Sequence, residues 1–146
     1  TIFDLYCGEG NFSLELASAL LIKVVGVDVN KESIKEAQQK KLKKSISNLQ
    51  FVSRDVLRFL RDLETVPDDT CFVLDPPRSG CAPELITEIL RLKPAQVLFI
   101  SCDPPTLVRD LKTLLPVYDL PSLLAFDMFP QTFHVECLAS LRLRTF

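Results

Sequence analysis

An α/β fold, with seven mostly parallel strands in one sheet and helices on both faces, is what this 146-residue sequence predicts. Three observations predict it. Short β-branched apolar runs alternate with stretches whose apolar residues recur three and four apart, the pattern of a parallel sheet covered on both sides. Several of these runs lead directly into acidic or cysteine-bearing strings, where an open α/β sheet presents the carboxyl ends of its strands. Hydrophobic side chains make up 47% of the chain, enough for one domain with a substantial core.

The predicted strands are Ile2-Tyr6, Lys23-Val29, Leu49-Ser53, Thr70-Leu74, Gln96-Ser101, Ser122-Phe126 and His134-Leu143. Between them the helical stripes are Phe12, Leu16 and Leu20; Ile34 and Ala37; Val56, Phe59, Leu60 and Leu63; Leu85, Ile86 and Ile89; Leu107, Leu111 and Leu114. The last two strands are joined by Asp127 to Phe133, which has no helical pattern, so they pair antiparallel at one edge and make the sheet mixed. Asn30 caps the second helix, Pro83 starts the fourth, and Pro104-Pro105 open the fifth, because proline suits a first helical turn.

The formal net charge is −2, so no overall field announces a polyanionic partner. The run Lys40-Lys41-Leu42-Lys43-Lys44 reads as a solvated helix end rather than a nucleic-acid patch. The five cysteines are odd in number and lack CxxC spacing, which suits free thiols in a reducing compartment and neither a disulfide framework nor a metal site. No leading signal and no membrane-length apolar stretch is present, so a cytoplasmic protein with no membrane partner is expected. Thr1-Ile2-Phe3-Asp4 opens directly inside a strand, and the chain is expected to be a piece of something longer.

The first strand, glycine-rich turn, helix and second strand form a cofactor pattern. Gly8 and Gly10 permit close backbone approach, and Asp28 stands 20 positions after the first glycine at the end of a strand, where a carboxylate accepts both hydroxyls of a ribose. Ser13 occupies the place of the third glycine of a dinucleotide fingerprint. A ribose without a pyrophosphate therefore fits better, which favours S-adenosyl-L-methionine over NAD. Asp55, after the third strand, either meets an adenine amino group or caps the helix that follows.

At the chemical end, Asp75-Pro76-Pro77-Arg78 follows the fourth strand and Cys102-Asp103-Pro104-Pro105 follows the fifth. Asp-Pro-Pro alone belongs with amino-group methylation, yet that reaction has no use for a thiol. Cys102 and Glu136 instead read as nucleophile and base. Carbon 5 of a uracil is too weak to attack a sulfonium methyl unaided; a thiolate adding to carbon 6 activates it, and a base must later remove its proton. A helix beginning at Pro104 favours thiolate through its dipole. Cys7, Cys71, Cys81 and Cys137 read as packing thiols, and His134, the single histidine, as a scaffold residue.

These strings, together with Asp127-Met128-Phe129-Pro130-Gln131-Thr132-Phe133-His134-Val135-Glu136, resemble the RNA uracil-5 methyltransferase family, which makes 5-methyluridine in tRNA and rRNA. The resemblance covers essentially the whole chain. It implies a Rossmann-like class I methyltransferase fold, RNA as substrate and S-adenosyl-L-methionine as cofactor. It further implies Cys102 as nucleophile, Glu136 as proton-abstracting base, Asp75 at both the cofactor and the active site, and Tyr6, Asn11 and Asp28 as cofactor contacts. The family usually has asparagine in place of Asp103 and frequently glutamate in place of Asp28. Its members carry an amino-terminal RNA-binding barrel and an upstream cofactor-contacting glutamine, and some an iron–sulfur cluster, none of which this stretch contains. The expectation is thus a catalytic domain, residues 1–146. Two alternatives stay open: a non-catalytic cofactor-fold module, and an amino-group methyltransferase built on Asp75-Pro76-Pro77.

Overall fold

The computed structural model describes residues 1–128, 130–132 and 135–145. In chain order the elements are β1 (Ile2–Leu5), α1 (Asn11–Ala19), β2 (Val24–Asp28), α2 (Lys31–Lys43), β3 (Leu49–Ser53), α3 (Val56–Asp62), β4 (Cys71–Leu74), α4 (Pro83–Leu92), β5 (Gln96–Ser101), α5 (Pro104–Leu114), β6 (Tyr118–Phe126) and β7 (Glu136–Leu143). The seven strands lie in one sheet in the order β3-β2-β1-β4-β5-β7-β6. β1 to β5 pair in parallel, while β7 runs antiparallel to both β5 and β6. The antiparallel pairing therefore sits at one edge of the sheet, with β7 as its inner member.

Two apolar layers follow from the alternation of side chains along the strands. On one face Phe3, Leu5, Phe72, Leu74, Val97 and Phe99 pack against α3, α4 and α5. On the other, Ile2, Val24, Leu49, Phe51 and Val73 pack against α1 and α2. The chain departs from β1 in opposite lateral directions, toward β2 and β3 and later toward β4 and β5, so a crevice opens beyond the carboxyl ends of β1 and β4. Among the described residues no helix is long and apolar enough to cross a membrane.

The predicted caps are in place. Asn30 accepts hydrogen bonds from the Glu32 and Ser33 amides, and Pro83 and Pro104 open α4 and α5. Two expectations need correction. α1 does not bury Phe12, Leu16 and Leu20; its buried residues are Ser13, Leu14 and Ala17, with Phe12 48% and Leu20 40% exposed. The reason is polar: Ser13 Oγ donates to the buried Asp4 carboxylate at 2.5 Å, which rotates the helix away from its most apolar stripe. β6 begins at Tyr118, four residues earlier than Ser122, because Pro121 does not end it. The strand is outermost, where a missing N–H costs no ladder bond, and the register shifts between Asp119 and Ser122.

The lysine run ends α2 as a solvated face, with Lys40 paired to Glu9 at 2.7 Å and Lys44 to Glu15 at 3.1 Å. The predicted strand start at His134 lies outside the described residues.

Candidate active site

The carboxyl edge of the sheet gathers most of the chemistry-bearing residues. β1 and β4 pair up to Leu5 and Leu74, and the next residues out are Tyr6 and Asp75, whose amide donates to the Leu5 carbonyl at 3.4 Å. β5 and β7 pair up to Ser101 and Cys137, so Cys102 and Glu136 are the next residues out at this edge. On its other side Glu136 pairs with Phe126 of β6.

Two hollows open on this edge. The first, of about 410 Å³, is lined by polar and small groups: Tyr6, Cys7, Gly8, Glu9, Asn11 and Ser33, with Phe12 and Asp75. The second, of about 510 Å³, brings Asp75, Cys102 and Glu136 together under an apolar lining that includes Ile100, Phe126, Met128 and Leu138. Phe12 and Asp75 line both, so the hollows meet at these two side chains.

Backbone shape in the first hollow follows from the turn after β1. Tyr6, Gly8 and Gly10 all have positive φ, of 67°, 53° and 77°. Tyr6 pays for its unusual conformation with an amide bond to the Val27 carbonyl at 2.9 Å. At Gly10 a side chain has no room, since a Cβ would fall 2.5 Å from the Phe51 ring. Gly10 therefore builds the turn rather than the hollow's wall. Asp28 does not line the hollow either; its carboxylate accepts from the Gly8 amide at 2.9 Å and the Asn30 amide at 2.8 Å, which ties the end of β2 to the turn. Each oxygen keeps a lone pair for a further donor. Asp55 caps α3 by accepting from the Arg58 amide at 2.9 Å and stands outside both hollows.

In the second hollow, the Asp75 carboxyl is held above the usual carboxylate range, first by desolvation and then by the negative charge of Glu136. A proton is therefore easier to place on Asp75 than on an isolated carboxylate. Cys102 is half-buried in the bend between β5 and α5, and Asp103 caps α5 by accepting from the Thr106 amide at 3.0 Å. Burial pushes the Cys71 thiol up to about 11 and the Cys81 thiol up to about 12, the latter with help from Asp110. Cys7 and Cys137 are also raised, by burial first, and each packs in an apolar cluster while lining a hollow. Among the described residues no group of three or more His, Cys, Asp or Glu side chains is placed to hold a metal ion.

Sequence reasoning missed Phe12, Phe126, Met128, Ile100 and Leu138 as site residues. Apolar side chains near motifs look like core, and only the fold shows which of them face the hollow: the rotation of α1 for Phe12, and the pairing of β6 and β5 with β7 for Phe126, Leu138 and Ile100.

Comparison with known proteins bears on this edge. The tRNA (uracil-5-)-methyltransferase family model matches residues 1–144. An uncharacterised RNA methyltransferase of Thermotoga maritima is 41% identical over 96% of this chain and 31% of its own length. A tRNA (uracil(54)-C(5))-methyltransferase of Schizosaccharomyces pombe is 33% identical over 94% of this chain and 27% of its own. Among solved structures, the Pyrococcus abyssi tRNA (uracil-54, C5)-methyltransferase in complex with S-adenosyl-L-homocysteine superposes with a TM-score of 0.83 at 33% identity, covering 96% of this chain and 33% of that one. The N-methyltransferase NodS of Bradyrhizobium japonicum, at 18% identity and a TM-score of 0.77, shares the fold. The chain spans about a third of the length of these curated relatives and of the Pyrococcus abyssi protein.

Proposed function

Since the chain belongs to the tRNA (uracil-5-)-methyltransferase family, we propose that it is the catalytic domain of an enzyme that methylates carbon 5 of a uridine in tRNA or rRNA, with Cys102 as covalent nucleophile. The observation that carries this reading is the convergence of Cys102, Asp75 and Glu136 on one apolar-walled hollow that adjoins a polar one. A flat ring with apolar faces and a polar edge suits the former.

S-adenosyl-L-methionine, the cofactor of this family, supplies an electrophilic methyl on its sulfonium. The polar hollow fits such a molecule: it offers Tyr6, Gly8, Asn11 and Asp75 along one wall, and Asp28, bonded to the Gly8 amide, has lone pairs for ribose hydroxyls. Its wall holds neither lysine nor arginine for a pyrophosphate. Asp55 serves an adenine amino group only through the oxygen its cap leaves free.

In the second hollow, the Cys102 thiolate adds to carbon 6 of the uracil, forming a C–S bond and delivering an electron pair to carbon 5 as an enolate. Carbon 5 takes the methyl as the methyl–sulfonium bond breaks, its electron pair staying on sulfur to leave S-adenosylhomocysteine. Glu136 then removes the proton from carbon 5; that electron pair re-forms the ring double bond as the C–S bond breaks and the thiolate leaves. Asp75, raised by desolvation and by Glu136, is the group that spans cofactor and base. With a net charge of −2, RNA affinity comes from a local patch or from a segment outside this stretch.

Nucleoside mass spectrometry of RNA from cells with and without the full gene tests the activity: 5-methyluridine at one RNA position disappears with the gene. Its persistence, or loss of a methylated adenine or guanine instead, contradicts the reading. Glu136→Gln is expected to stall after methyl transfer and accumulate a methylated protein–RNA adduct; normal turnover by that variant would remove Glu136 as the base.

A further inference from the structure

We propose that Arg109 and Asp110 of α5 form a clasp on the loop between Asp75 and Cys81, and that they act on the reaction as positioning residues by fixing that loop against the helix that follows Cys102. The proposal rests on the reading of Cys102 as nucleophile.

Asp110 is 4% exposed, a rare location for a carboxylate on a helix. Both of its oxygens are engaged. Oδ1 accepts from Arg109 Nε at 2.8 Å, with Arg109 Nη2 also 2.7 Å away, and Oδ2 accepts from the Cys81 amide at 2.9 Å. Arg109 Nη2 donates further to the Ser79 carbonyl at 3.0 Å and the Cys81 carbonyl at 3.2 Å. One turn earlier on α5, Thr106 Oγ1 lies 3.3 Å from the Arg78 carbonyl, while its one proton has a nearer acceptor in the Asp103 carbonyl at 2.9 Å. Arg109 and Asp110, on one turn of α5, thus tie the backbone of residues 79 and 81 to the first half of that helix, with Thr106 one turn earlier beside residue 78.

The loop is shaped to receive this grip. The Gly80 amide donates to the Pro77 carbonyl at 2.8 Å, closing a tight turn, and Gly80 has φ +73°. A Cβ there would meet Arg109 Nη2 at 2.5 Å and Asp110 Oδ2 at 2.7 Å, so backbone and clasp are in closest contact at this point.

What the clasp joins is the two sides of the second hollow. Its loop starts at Asp75, which lines both hollows, and its helix starts at Pro104, two residues past Cys102. Asp75 itself is tethered to β1 through its amide, as is the wall made of Tyr6, Gly8 and Asn11 by the turn after that strand. Loosening the clasp therefore leaves the cofactor wall in place and frees the helix that aims the thiol. Asp110 is buried while the Arg109 side chain is 55% exposed, so the pair adds little net stability, and a positioning task gives it a use. Misplacement of a reacting group by about 1 Å costs on the order of a hundredfold in rate.

The test compares the full-length protein with Asp110→Asn and Arg109→Lys. Asparagine keeps an acceptor for the Cys81 amide but sets an NH2 group or an uncharged oxygen against the guanidinium; lysine keeps the charge but has no fork to reach two carbonyls. For each, two quantities are measured: the rate of covalent adduct formation with RNA containing 5-fluorouridine, and affinity for S-adenosylhomocysteine by calorimetry. The expected result is an adduct rate lowered by roughly tenfold to a hundredfold with cofactor affinity within about threefold. Unchanged adduct rates in both variants overturn the clasp while leaving the nucleophile reading intact. Equal losses of rate and affinity also overturn it, because that is general loosening. No adduct from the unmodified protein overturns the nucleophile reading itself, and the proposal with it. Arg109 has an exposed side chain, so Arg109→Lys gives a folded comparison even where Asp110→Asn does not.

Discussion

Asp4 sits at 0% exposure in the middle of β1, with one carboxylate oxygen taken by Ser13 Oγ and the other without a hydrogen-bond partner among the described atoms. Burial pushes its carboxyl up to about 6, against the Ser13 hydrogen bonds that lower it, and Asp75 and Asp28 add smaller repulsive contributions. The sign follows directly. The folded state holds the Asp4 proton more tightly than the unfolded chain, whose aspartates titrate near 3.9, so the stabilisation is complete below about pH 4 and is lost as pH rises toward about 6. Asp4→Asn does not titrate. Relative to the unmodified protein, that variant is expected to gain on the order of 2 kcal/mol of stability between pH 4 and pH 7, read from urea midpoints at each pH. A constant difference across that range would mean Asp4 is ionised in the folded state at acid pH.

Asp103 poses a second question at the same scale. Its carboxylate caps α5, a task asparagine performs about equally well, yet it places a negative charge next to the residue proposed as nucleophile. Asp103→Asn is expected to keep stability within about 0.5 kcal/mol and to raise the rate of Cys102 alkylation by iodoacetamide at neutral pH a few-fold. A slower alkylation would mean the charge serves the thiol.

Among the elements, α1 shows best where sequence patterning fails. Its three-and-four spacing named Phe12, Leu16 and Leu20, but the helix turns Ser13, Leu14 and Ala17 inward. The pattern counts apolar side chains, and here a single hydrogen bond to a buried acid sets the rotation. That rotation also turns Phe12 out to the place where the two hollows meet. β6 failed at its start for a related reason, since Pro121 ends a central strand but not an outermost one, and position in the sheet is not visible in a local window. The apolar stripes of α4 and α5 were legible: Leu85, Ile86 and Ile89 and Leu107, Leu111 and Leu114 are all buried, although α5 also buries Asp110. At the head of α1, Gly10→Ala combines a left-handed backbone with a Cβ 2.5 Å from Phe51, and is expected to destabilise the fold by about 2 to 4 kcal/mol in urea unfolding. A loss under about 1 kcal/mol would show that the turn rearranges.

For the molecule as a whole, strand order does what no single motif does. Asp75, Cys102 and Glu136 come from the ends of β4, β5 and β7, which are neighbours in the sheet, and the antiparallel course of β7 brings the start of that strand to the edge where the other two finish. The strings around Cys102 and Glu136 were conspicuous in the sequence because a thiol, an acid and prolines interrupt apolar runs. The clasp was not, because Arg109-Asp110 has the look of an ordinary surface charge pair; only the fold shows Asp110 inside and the loop it holds. Asp28 and Asp55 were legible as strand-end acids, but their hydrogen bonds to the Gly8 and Arg58 amides could not be foreseen from spacing.

The central claim is that the Cys102 sulfur bonds to a pyrimidine in the hollow it shares with Glu136. Peptide mapping by mass spectrometry of the adduct between the full-length protein and 5-fluorouridine RNA tests it most directly. The account predicts a nucleotide on the peptide containing Cys102 and no adduct from Cys102→Ala; attachment at Cys7, Cys71, Cys81 or Cys137, or an undiminished yield from that variant, would contradict it.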